Sequence, residues 1–135
     1  MTERTAKTPS GMGALVTLRR TVAYNTPDIA TGVKIGTVPA NYFLVEALAD
    51  VQTVFNAGTT NVLTVGGEDD SGYDDIFAAG DINEASATCQ RAPAASCGIL
   101  DDEDADVYVK YTQSGTAATT GQATIVLVFA PYQGR

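Results

Sequence analysis

Three aspartates on alternate positions, Asp102, Asp104 and Asp106, come nearest to a chemical motif in this chain. Alternating acids open the calcium loop of an EF-hand, where carboxylate oxygens surround the ion. The rest of that loop is missing. Its sixth place, which needs glycine, is Val107, and its twelfth is Gln113 in place of glutamate. An EF-hand is therefore excluded. A looser oxygen site within 101–106, or within 68–75, stays open beside the plainer reading of a solvated acidic turn. Cys89 and Cys97 are the only two cysteines. Zinc would need two more Cys or His ligands, and the chain has none to give. The pair either closes a short disulfide loop, worth ~2–3 kcal/mol, or stays as two thiols, as expected of a chain made in a reducing cytoplasm.

The count of histidines is zero. Without imidazole no Ser-His-Asp or Cys-His arrangement can be assembled within this chain. No imidazole can act as acid or base near neutrality. The phosphate-cradling patterns Gly-x-x-x-x-Gly-Lys-Ser/Thr and Gly-x-Gly-x-x-Gly are missing. Carboxylate pairs could hydrolyse glycosides, but the acids here stand in runs that keep one another solvated, and there is no tryptophan to form a sugar platform. The expectation is a protein that is not an enzyme and carries no cofactor.

The elements that would position these residues are strands. The stretch 43–55 alternates: Phe43, Val45, Ala47, Ala49, Val51, Thr53 and Phe55 on one face, Leu44, Glu46, Leu48, Asp50, Gln52 and Val54 on the other. That is a strand with an apolar inner face and a mixed outer face. Asn56, Gly58 and Asn61 supply turn chemistry, and a second strand runs through 62–66. Further strands are expected over 14–24, where Arg20 breaks the apolar phase, and over 33–38, 107–112 and 122–130. The last is apolar on both faces, so its second face is covered by a loop, an arm, another subunit or a shell. Residues 76–79 fit a helical turn or a brief strand, and 81–106 have no clear period. Short strands punctuated by Gly, Pro and Asn give an all-β class: an antiparallel β-sandwich or jelly roll over 14–135, preceded by an extended arm over 1–13.

The net charge is −8 and the sequence pI about 4.2. Such a chain repels nucleic acid and anionic lipid, so neither is expected as a partner. No apolar run reaches the ~20 residues of a membrane helix, and the first residues lack the apolar core of a secretory signal. Most of the 16 acids fall in 67–106, against one base, Arg91. Residues 1–34 are mildly basic through Arg4, Lys7, Arg19, Arg20 and Lys34. Ordinary solvated loops account for this split, and so would complementary patches on copies or partners. Tyr73, alone in the acidic loop, is either an interface anchor or a packing residue of that loop.

Three pieces carry a resemblance: 33–40 leading into the long strand; Phe55-Asn56-Ala57-Gly58-Thr59-Thr60-Asn61-Val62-Leu63-Thr64-Val65-Gly66; and Val107-Tyr108-Val109-Lys110-Tyr111-Thr112 with the Thr/Gly/Ala-rich turn and closing strand that follow. Their wording resembles jelly-roll head decoration (cement) proteins of tailed bacteriophages. The resemblance implies a structural protein assembled in the host cytoplasm. It would bind the outside of an icosahedral head and bridge major capsid subunits, with self-association as dimers or trimers. Within that frame Arg4 and Lys7 of the arm are the first candidates for the shell contact. Leu44 and Leu48, read as outward, Tyr73, and the second face of the last strand are candidates for subunit contacts. The other readings are a head-fibre base or tail component, which should show repeats this chain lacks, and a calcium- or carbohydrate-binding sandwich, which the missing tryptophan and imperfect aspartate spacing disfavour.

Overall fold

A computed structural model describes residues 14–68, 72–93, 98–99 and 103–131. All regular structure among them is β. The strands are β1 (Val16–Ala23), β2 (Val33–Val38), β3 (Tyr42–Thr53), β4 (Thr60–Gly67), β5 (Cys89–Arg91), β6 (Gly98–Ile99), β7 (Ala105–Ser114) and β8 (Gln122–Pro131). They form two antiparallel sheets. One runs β1-β8-β3-β5, with β6 also on β3, and the other β2-β7-β4. The expected antiparallel β-sandwich is what the chain builds. The arm at 1–13 lies outside the described residues.

The core sits where the inner faces meet. β8 contributes Ala123, Ile125, Leu127 and Phe129, all fully buried, and β7 answers with Val107, Val109 and Tyr111. Side chains two apart on a strand share a face, so these two strands read as cleanly in space as they do in sequence. β3 does not. Leu44 pairs with Phe129 but Glu46 pairs with Val128, which makes Val45 an extra residue in a β-bulge. The bulge exchanges the faces on its two sides. Leu44 is buried at 3% exposure and Val45 is 46% exposed, the reverse of strict alternation, whereas Ala47, Ala49 and Val51 point inward as expected. Leu44 is thus a core residue and leaves the outward set; Leu48, half-buried, stays on the outer face.

The 56–61 turn is braced from both sides. Asn61 Oδ1 accepts the Ala57 N–H at 2.8 Å and the Tyr111 hydroxyl, and Asn61 Nδ2 donates to the Ala57 carbonyl at 3.1 Å. Asn56 Oδ1 accepts the N–H groups of Thr119 and Thr120 at 2.8 and 3.0 Å, tying this turn to the one before β8. Gly121 has φ 146°, and the Phe55 ring fills the space a Cβ there would need. Phe55 in turn packs on Tyr111 with centroids 4.8 Å apart.

Residues 72–88 form a strap along the free edge of β4. Phe77 makes a β-bridge with Val65, so 76–79 is a brief strand-like contact rather than a helical turn. The strap satisfies β4 donors one after another. The Glu84 carboxylate accepts the Leu63 N–H at 2.7 Å, the Phe77 carbonyl the Val65 N–H at 3.1 Å, and Asp75 Oδ1 the Gly67 N–H at 2.9 Å. Ile76, Phe77 and Ile82 enter the core beneath it, each 2% exposed or less.

Candidate docking face

The outer face of the first sheet is the surface with the least ordinary composition. Three rows cross it, fixed by register: Thr21-Thr124-Asp50-Cys89, then Arg19-Val126-Leu48-Arg91, then Thr17-Val128-Glu46. An antiparallel sheet with one wet face normally carries polar residues there. Here Val126, Val128, Ala130, Leu48 and Phe43 make an apolar band in the middle, all of them half-buried. At one end of the band the polar groups satisfy each other. Thr21 and Thr124 hydroxyls are 2.8 Å apart, and Gln52 Nε2 donates to the Thr124 hydroxyl at 2.9 Å. Arg91 and Glu46 form an ion pair on the face. Cys89 is an exposed free thiol in the first row, and Cys97 lies outside the described residues.

The other residues singled out by type are distributed as follows. Arg4, Lys7 and Asp102 lie outside the described residues. Asp104 accepts the Ala40 N–H at 3.0 Å, and Asp106 accepts the Thr37 hydroxyl at 2.7 Å and pairs with Lys34 at 3.3 Å. Asp106 ties β7 to β2, and Asp104, just before β7, holds the turn that follows β2. Among the described residues no group of three or more His, Cys, Asp or Glu side chains converges as a metal site would require. The Thr37 hydrogen bond, followed by Lys34, holds the Asp106 carboxyl below its usual range. Tyr73, at φ 51°, stacks on Tyr108 with centroids 4.7 Å apart and closes over Gly32. Its ring is therefore engaged within the chain.

Sequence reasoning treated the acids of 67–106 as solvated. Glu84 is 8% exposed, and burial pushes its carboxyl above the usual range against the opposing pull of the hydrogen bonds from the Leu63 and Glu84 N–H groups. Burial, and then the nearby Glu84 charge, raises the Tyr111 hydroxyl. A sequence signal for this was present: Ile76, Phe77 and Ile82 interleave with the acids, and apolar residues of that size seldom alternate with acids on a free loop.

No family model and no curated protein matches the chain. Its fold has close counterparts among solved structures. A chain in the "Cyanophage Pam1 capsid asymmetric unit" superposes with TM-score 0.68 at 14% identity, over 96% of this chain and 94% of that one. A chain in the "Capsid of Ralstonia phage GP4" gives 0.64 at 22% identity, over 97% and 93%. A chain in the "Acidic stable capsid structure of Helicobacter pylori bacteriophage KHP30" gives 0.66 at 11% identity, over 86% of each. The fold is one that phage capsids contain. At these identities the likeness is one of architecture, and it spans 86% or more of both chains in each comparison.

Proposed function

We propose that this chain is a virion structural protein that decorates the outer surface of an icosahedral phage head and stabilises it by bridging major capsid subunits. The observation that carries the reading is the near end-to-end correspondence with chains of three phage capsid structures. The apolar band on the outer face of the first sheet supports it, since a sheet face of that composition suits a protein contact. The mechanism is linkage. A protein that binds only the assembled shell stabilises that state by mass action. Copies that also hold one another, as dimers or trimers, multiply modest contacts through avidity. The exposed acids of a chain with net charge −8 keep decorated particles apart. Arg4 and Lys7 remain the first candidates for the shell contact, with Leu48 among the residues facing other subunits.

The reading is tested on heads prepared with and without the protein. Decorated heads should release their DNA at a higher temperature, and the shift should saturate as copies are added. Equal release temperatures across a titration that reaches excess would exclude a stabilising role.

A further inference from the structure

The charges on the outer face of the first sheet are arranged so that the face matches itself. Strands stand about 4.8 Å apart and same-face residues ~6.8 Å apart along a strand. Arg19 on β1 and Asp50 on β3 therefore lie ~12 Å from each other, on a diagonal across β8. Neither has an ion-pair partner among the described residues. Val126 and Leu48 lie beside that diagonal. Glu46 and Arg91 sit beyond them, already paired with each other and largely open to solvent on the arginine side.

A second copy can be laid on this face by a half-turn about an axis that lies between the two sheets and bisects the Arg19–Asp50 diagonal. That rotation brings Arg19 of each copy over Asp50 of the other. It stacks Val126 and Leu48 against their own counterparts near the axis; Glu46 also falls near its own counterpart, with its charge already met by Arg91 of the same copy. One axis satisfies the charge pairing and the apolar stacking at once, and a two-fold contact makes the Arg19–Asp50 pairing twice. The two sets of strands cross at roughly 70°, nearer the orthogonal than the aligned class of sheet packing. The result has the anatomy of a specific interface, with an apolar centre and a charged rim. An axis through the same point but along the strands would lay Arg19 over Leu48 and Asp50 over Thr21, leaving both charges unpaired, so the charge pattern also selects the orientation.

We infer that the outer face of the first sheet is where two copies of this chain meet, in a two-fold dimer held by reciprocal Arg19–Asp50 pairs around Val126 and Leu48. The inference rests on the decoration reading only for what the dimer would bridge. A protein that dimerises this way but never binds heads would refute that reading and leave this one standing.

The test is a charge swap, read by sedimentation of the purified full chain. Wild type should sediment at twice the 14.0 kDa chain mass. Arg19→Asp alone, or Asp50→Arg alone, places like charges opposite each other and should weaken association by about tenfold or more. The double variant restores opposite charges and should recover most of the lost affinity. Thermal unfolding of each variant separates loss of association from loss of folding. A wild-type chain that stays monomeric at all concentrations, or forms trimers, overturns the inference. So does a double variant no better than either single one, or an association that none of the three changes.

Discussion

The two flanks of the sandwich handle their unpaired strand edges in opposite ways. On the β4 flank the strap supplies an acceptor for one backbone N–H after another, two of the three being carboxylate oxygens, and drives Phe77 into the core. On the other flank β1 and β2 end their sheets with no described strand beyond them. What stands there is charge: Arg19 and Arg20 on β1 and Lys34 on β2, all exposed. An open edge is a template for unwanted pairing, and flanking charge is one way to blunt it. The contrast teaches that an acid-rich segment is not a surface by virtue of its acids. Glu84 and Asp75 act as backbone acceptors that close an edge, while Arg20, which interrupts the apolar phase of β1, marks an edge left open.

The largest expected effect is on the sealed flank. Phe77→Ala removes a fully buried ring that anchors the strap, and should cost about 3–5 kcal/mol of unfolding free energy by chemical denaturation. A loss under about 1 kcal/mol would mean the strap is not part of the core. Glu84→Ala should cost about 1–3 kcal/mol, because the buried Leu63 N–H loses its acceptor. Glu84→Gln keeps an acceptor oxygen and should recover most of that loss, so equal effects of the two would contradict the capping role.

The flanks also differ in their response to pH. Glu84 is raised, so the folded state holds its proton more tightly than the unfolded chain does. The stability it adds is fully present below 4.5 and is lost as pH rises through its raised folded value; Glu84→Gln should flatten that slope. Asp106, which joins β7 to β2, is lowered. Its contribution is present above 3.8 and is lost as pH falls through the lower folded value. Unfolding curves of wild type, Glu84→Gln and Asp106→Asn across acid pH would separate the two slopes. The smallest effect belongs to the open flank. Arg20 has no ion-pair partner among the described residues, and Arg20→Ala should change stability by no more than about 0.5 kcal/mol in thermal unfolding.

The same flanks explain what could be read from sequence. β7 and β8 are regular, central and two-sided, so Val107, Val109, Ile125 and Leu127 announce their faces by simple alternation. β2 and the turn at Asn56–Asn61 were legible for a related reason: their bounds are set by Pro39 and by asparagines whose side chains close the turn locally. Leu44 was misread because a bulge at Val45 depends on how β3 meets β8, which no local pattern encodes. The strap was legible only as buried apolar residues among acids, through Ile76, Phe77 and Ile82; its place on β4 was not, because its bonds, as between Glu84 and Leu63, span sequence separations that propensity does not see. The outer face was legible in part. The apolar second face of β8 stood out in sequence, whereas the diagonal of Arg19 and Asp50 exists only once register places β1 and β3 on either side of it.

The most direct test of the account is co-sedimentation of the purified full chain with mature and with immature heads that lack it, in the presence and absence of a chelator. Saturable binding to mature shells that chelation leaves unchanged is the result expected of a decorating structural protein. Absence of binding to either shell at concentrations where the protein is folded would contradict it.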